Sequence, residues 1–345
     1  MKRSIKGIIL ASTIISAIPS FHLASAASLE GVSIHPRWVD ADHLLVTNEG
    51  EEKAAEYIVN IRNKEAKAIP GGIAMDMKMS PVGSKAVYLD EQNHIWLATA
   101  PLYLATKISR NDIPKYDLQW SAAGDKIYFI QGDKSELISE MSINSSYISN
   151  LVNDKVENKA DLKISQDGRY AVYTAIKAAK ASGEIDKDTF KIDTAGTEPQ
   201  IFVVDLTKKG DKPVQVTKST DNKSFINFLA DGRVLYVSSN VDKPEEPSSL
   251  KVINRDGKGE VTLVNDMEVL QATVTNDGKV YILGMLAEGS KAIYEVDSTS
   301  GKKTKWVDVE EDVTEMQLSA DGKNLAVIAG ETISVLKDGS FINLN

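Results

Sequence analysis

The chain has 345 residues, 42% of them hydrophobic and 26% charged, with a formal net charge of −9. This is the composition of an ordinary globular protein, and its surplus of acid argues against a phosphate-bearing partner, so nucleic acid is set aside. The absence of cysteine excludes disulfides, thiolate nucleophiles, thiolate metal sites and a lipid-modified N-terminal cysteine.

The first segment reads as a targeting signal. Lys2, Arg3 and Lys6 precede an apolar run from Ile8 to Phe21, and Ala24-Ser25-Ala26 offers the small residues a signal peptidase reads. The run is short for a bilayer span, so a secretory signal peptide over 1–26 is predicted, with 27–345 as one domain. No second apolar span follows. The mature chain is therefore expected to be secreted, extracellular or periplasmic, not membrane-embedded, and monomeric.

A short phrase then recurs: an apolar residue, Ser or Thr, two variable residues, Gly, and a strongly apolar run. Copies are Met79-Ser80-Pro81-Val82-Gly83, Trp120-Ser121-Ala122-Ala123-Gly124, Ile164-Ser165-Gln166-Asp167-Gly168, Phe228-Leu229-Ala230-Asp231-Gly232, Val274-Thr275-Asn276-Asp277-Gly278 and Leu318-Ser319-Ala320-Asp321-Gly322. A worn copy lies at Trp38-Val39-Asp40-Ala41-Asp42. The glycines are spaced by 41, 44, 64, 46 and 44 residues, the length of a four-stranded propeller blade with one insertion.

The phrase is a β-turn, with Gly at the corner that needs positive φ. The runs after it, such as Lys126-Ile127-Tyr128-Phe129-Ile130 and Val234-Leu235-Tyr236-Val237, do not alternate. A strand covered on one face alternates; an unbroken run is covered on both, as in stacked blades. A third strand of similar type follows in each unit, for example Ile201-Phe202-Val203-Val204-Asp205, and then a more polar fourth, for example Thr304-Lys305-Trp306-Val307, suited to an outer edge. Units beginning near His35, Met75, Lys115, Asp161, Ser224, Glu268 and Val313 predict an all-β propeller of seven four-stranded blades, with six as the alternative. The stretch from Leu29 to Ile34 is expected to pair with the last blade and close the ring.

These phrases resemble the Ser-Pro-Asp-Gly motif of TolB-like propellers, relatives of the WD-repeat blade, and Ile201 to Asp205 is similar to that family's third strand. The resemblance runs from about Ser33 onward. It departs from the family in keeping the Ser-Pro pair only at Ser80-Pro81, and it leaves no room for the N-terminal α/β domain of TolB, so a stand-alone propeller is implied.

Few residues point to chemistry. His35, His43 and His94 are placed on different strands and are not expected to converge on a metal, whereas some TolB-like propellers are lyases with a His-rich metal channel. No Gly-x-Ser-x-Gly elbow is present, and Gly71-Gly72 lacks the helix of a phosphate cradle. The long gap, about 176–199, falls between strands two and three of blade four. Its Lys177, Lys180, Asp186, Asp188 and Phe190 are the candidate binding residues, a solvated loop with a short helical turn being the plainer alternative. Asp266, Glu268, Glu310, Glu311 and Asp312 form an acidic rim. Glu310, Glu311 and Asp312 are the candidate Ca²⁺ ligands, a solvated rim being the alternative. Trp38 and Trp120 read as blade-to-blade packing.

The expected function is a non-catalytic propeller that binds a protein or glycan partner through the loops opposite the Asp-Gly turns. The alternatives are a channel-site lyase or hydrolase and a structural module of an envelope complex. The channel lining discriminates. Three or more converging His, Asp, Glu or Arg groups mark catalysis; Ser, Thr and apolar groups mark binding.

Overall fold

A computed structural model describes residues 32–49, 54–69, 76–154, 156–176, 180–186, 189–193, 197–208 and 210–344. The expected leader, with its cleavage after Ala26, lies outside them, as do Lys177 and Asp188. Among the described residues there is no helix, and so none long and apolar enough to cross a membrane.

Seven four-stranded antiparallel sheets succeed one another along the chain, each a meander of strands in sequence order. The first strands of the seven blades are Val32–Trp38, Lys78–Met79, Lys115–Trp120, Lys159–Ile164, Asn222–Phe228, Glu268–Val274 and Val313–Leu318. Each touches the first strands of both neighbouring blades, and the first blade's touches the last's, so they form the inner wall of a closed ring. The fold is a seven-bladed β-propeller, as the seven repeat units predict.

The turn phrase explains the meander. Gly124, Gly168 and Gly322 have φ of 66°, 69° and 69°, and their amides donate to the carbonyls of Ser121, Ser165 and Ser319 at 2.9, 2.8 and 2.8 Å. The serine hydroxyl does double duty: Ser165 Oγ donates to Asp167 at 2.6 Å and accepts the Tyr170 amide at 2.8 Å, and Ser319 does the same with Asp321 and Asn324. The turn thus fixes the start of the second strand before that strand pairs.

The core is divided among the blade interfaces. Seven apolar clusters lie one between each adjacent pair of blades, for example Ile130, Ile138, Leu162 and Tyr173 between blades three and four. Second strands such as Lys126–Gln131 and Val234–Ser239 are buried nearly throughout, while the outer strand Leu104–Lys107 is exposed. This is the burial that unbroken apolar runs and polar fourth strands require.

Ring closure departs from the sequence expectation. Val32 pairs with Glu49 and Ile34 with Thr47 of the same blade, and blade seven is completed by its own fourth strand, Ser340–Asn343. Of the stretch expected to close the ring, Leu29 to Gly31 lie outside the described residues. Blades one and seven pack together: Leu44, Val46 and Val59 lie against Ala326, Ile328 and Val335, and Trp38 Nε1 donates to the Gln317 carbonyl at 3.0 Å.

The insertion is where the sequence placed it, between the second and third strands of blade four, but it is a hairpin, Lys180–Asp186 paired with Thr189–Asp193, and not a helical turn. The alternation of Thr189, Phe190, Lys191 and Ile192 has the period and residue types of a strand.

Candidate functional site

The register of the seven inner strands stacks equivalent residues into layers around the channel. The next-to-last residue of each strand faces the same position of its second strand: Arg37, Lys78, Gln119, Lys163, Asn227, Thr273 and Gln317 pair with Leu45, Val87, Tyr128, Val172, Leu235, Tyr281 and Ala326. All seven are polar, three are cationic and none is acidic. Two residues earlier, at a break in ladder register in blades one, three, four and five, lies a second layer: His35, Asp76, Asp117, Asp161, Phe225, Gln271 and Glu315. In the first five of these φ is 52°, 40°, 51°, 56° and 51°. Such a conformation in a Phe side chain is a backbone outlier, and its recurrence in successive blades marks a built feature of the channel wall.

Two cavities open from these layers. The larger, 560 Å³, lies at the Asp-Gly end of the channel, and its wall includes Arg37, Trp38, Lys78, Trp120 and Lys163 but no carboxylate. The other, 410 Å³, adds Asp117, Asp161 and Phe225. Lys78, Gln119, Lys163 and Asn227 border both and form the waist between them. The larger cavity is therefore at the opposite end from the loops expected to bind.

The three cations are not equivalent. Arg37 is held by the buried Glu56 at 2.6 Å and lies 3.7 Å from Asp76. Lys78 pairs with Asp76 at 2.9 Å. Lys163, half-buried, has no carboxylate within ion-pair distance among the described residues. Burial and the like charge of Lys78 push its ammonium below the usual lysine value, against the pull of Asp117 and Asp161. The tryptophans brace this layer as expected: Trp120 Nε1 donates to the Lys78 carbonyl at 2.8 Å, across a blade boundary, as Trp38 does to Gln317.

The residues singled out from the sequence lie elsewhere. Lys180, Asp186 and Phe190 are on the insertion hairpin, at the end of the channel away from the larger cavity. Glu310, Glu311 and Asp312 are exposed on the turn before Val313–Leu318. Asp266 is taken up by Lys303, and Glu268 accepts the Ser248 amide at 2.9 Å. His43 is held by Asp40 at 2.9 Å, and His94 lies between Asp90 and Asp112 at 3.0 and 2.7 Å. Among the described residues no three His, Asp or Glu side chains are grouped as a metal site would need. The signal that locates the channel layer is in the sequence: the residue two before the Ser of each phrase is polar in every copy, in a segment otherwise flanked by apolar positions.

Neither a protein-family model nor a curated protein matches the chain. Solved structures do. Tricorn protease is 14% identical, with a TM-score of 0.64 over 93% of this chain and 35% of its own. Puromycin hydrolase is 13% identical, with a TM-score of 0.65 over 92% of this chain and 54% of its own. An oligogalacturonate lyase in complex with manganese is 11% identical, with a TM-score of 0.63 over 91% of this chain and 85% of its own. The chain thus spans about a third and about half of the two hydrolytic neighbours. At these identities the likeness is one of fold.

The expectation of a non-catalytic binder is corrected here. The solved propellers it falls among are named for enzymes. The channel lining does not itself decide the matter: Arg37 lines the larger cavity, whereas Asp117 and Asp161 line the other.

Proposed function

We propose that this propeller is a channel-site lyase that eliminates across a C–O bond next to a carboxylate in an acidic carbohydrate. The observation that carries it is Lys163: an amine without an ion-pair partner among the described residues, at the waist of a channel whose larger cavity is lined by cations and amides. Support for the substrate class comes from Lys78 and Arg37, which suit a carboxylate, from the Trp38 and Trp120 rings, which suit sugar faces, and from the named activity of the manganese-bound neighbour. Among the described residues no three His, Asp or Glu side chains are grouped as manganese would need, so no step is routed through a metal.

In this scheme neutral Lys163 Nζ removes the proton α to the carboxylate. Lys78 lies against the carboxylate as negative charge builds on it, and the amides of Gln119 and Asn227 hold hydroxyls. The electron pair forms C=C as the C–O bond breaks, and the new Lys163 ammonium returns the proton to the departing oxygen. A base must be unprotonated, so activity rises with pH and levels off below the ordinary lysine range. The same proposal includes a TolB-like ancestry, supported by the Ser80-Pro81 turn, and secretion, supported by the leader sequence.

The test is incubation with uronate oligosaccharides under ultraviolet absorbance and mass spectrometry. The expected product carries a conjugated C=C, fragment masses sum to the substrate, and Lys163→Met lowers the rate by about 10² or more. Fragment masses that sum to the substrate plus one water per bond cleaved, or an unchanged rate in Lys163→Met, would overturn the reading.

A further inference from the structure

The surroundings of Lys163 suit a second kind of chemistry that elimination does not use. An amine becomes a nucleophile toward carbonyl carbon when it is held unprotonated, and a neighbouring cation in a water-poor site is one way to hold it so. The channel supplies the cation and half-buries the amine. Lys78 and Lys163 occupy the same layer in blades two and four, bracketing Gln119 of blade three. Asp117 and Asp161 sit one layer away, and neither is within ion-pair distance of Lys163. Their own contacts point elsewhere: Asp161 accepts the Thr174 hydroxyl at 2.8 Å, and Asp117 accepts the Leu162 amide at 3.4 Å. Space is open on both sides of the amine, 560 Å³ towards the turns and 410 Å³ beyond, more than a small carbonyl compound needs.

We infer that Lys163 is a Schiff-base lysine, a covalent site for small 2-oxo acids. The carboxylate of such a compound lies against Lys78, and its carbonyl oxygen takes a hydrogen bond from the Gln119 or Asn227 amide. The Lys163 lone pair attacks the carbonyl carbon, the C=O pair moves to oxygen and is protonated from solvent, and the nitrogen releases a proton. The carbinolamine then loses water to give C=N. The balance is amine plus carbonyl compound giving imine plus water, with no change in oxidation state. The inference rests on the same Lys163, Lys78, Gln119 and Asn227 as the lyase reading, but imine formation does not require elimination, and each can fail without the other.

The experiment treats the intact protein with glyoxylate or pyruvate and sodium cyanoborohydride, which delivers hydride to C=N, and maps the modified lysines by mass spectrometry at several times. At neutral pH Lys163 is expected to be labelled about tenfold faster than surface lysines such as Lys208 and Lys323, as a less basic amine requires. Acetone, which lacks the carboxylate, should lose most of that preference. Lys78→Gln should slow labelling of Lys163 at neutral pH and recover it at higher pH, because removing the like charge makes the amine more basic. Labelling spread over all lysines in proportion to exposure would overturn the inference in the unmodified protein alone, with no variant required to fold. So would equal preference for acetone. If Lys163 is trapped but uronates are not cleaved, the lyase reading fails and this one stands; cleavage without trapping gives the reverse.

Discussion

Asp90 shows how much one carboxylate contributes outside the channel. It accepts Trp96 Nε1 at 2.8 Å, the His94 amide at 2.8 Å and the His94 ring at 3.0 Å. Burial works against its ionisation, but these bonds prevail and bring it from 3.8 to about 2. The folded value is the lower one, so the stabilisation is complete above the unfolded value near pH 4 and is lost as pH falls through about 2. It amounts to about 2 kcal/mol. Asp90→Asn should therefore lower the free energy of urea unfolding by about that much at pH 7 and by much less at pH 2; a gap constant with pH would contradict the assignment. At this scale the sequence was legible for His43 and His94, whose short carboxylate neighbours mark local hydrogen bonding. It was not legible for Lys163 by search for histidines and nucleophilic triads, since a lysine on an inner strand is conspicuous only when the seven copies are laid in register.

At the scale of strands and turns the sequence was close to sufficient. Turn residues dictate φ locally, and unbroken apolar runs dictate two-sided burial. What escaped were contacts across blades. Gly301 has φ of 72° in the turn Ser298-Thr299-Ser300-Gly301, and a Cβ there would meet the Leu263 carbonyl of the preceding blade. Gly301→Ala is expected to cost about 2 kcal/mol or more, from backbone conformation and the clash together, read as a lowered melting midpoint. Lys115, Lys159 and Lys223 open the inner strands of three successive blades and look solvent-facing in sequence, yet all are buried. Lys115 Nζ donates to the carbonyls of Asn93 and Ile113 at 2.7 and 2.8 Å, and Lys223 to those of Ser219 and Asp221 at 2.5 and 2.6 Å. Each ties down the loop that enters its blade. Lys115→Met should leave those carbonyls without a donor and destabilise by about 1–3 kcal/mol, and hydrogen exchange should locate the loss at residues 109–116.

For the ring as a whole, the junction of blades one and seven is packed by side chains from both blades. Leu44 is fully buried there, and Leu44→Ala is expected to cost about 2–5 kcal/mol. Hydrogen exchange should then rise first in blades one and seven and last in blade four. The insertion is dispensable by the same logic of contacts. Ala175 already pairs with Gln200, so blade four is complete without it. Replacing 177–198 with a two-residue turn should move the melting midpoint by no more than a few degrees. Blade number was readable from the repeat spacing, but the manner of closure was not, because a strand's partner across the ring is a fact of geometry that no local pattern encodes.

Because the four strands of each blade come from one contiguous stretch of chain, the smallest change in blade number that keeps the blade ladders whole is the gain or loss of an entire wedge. A gene for this molecule can lengthen or shorten its circle by copying or dropping one contiguous segment, such as 115–158, without orphaning a strand elsewhere. What such an event would alter is the girth of the central passage, and with it the number of side chains that meet there.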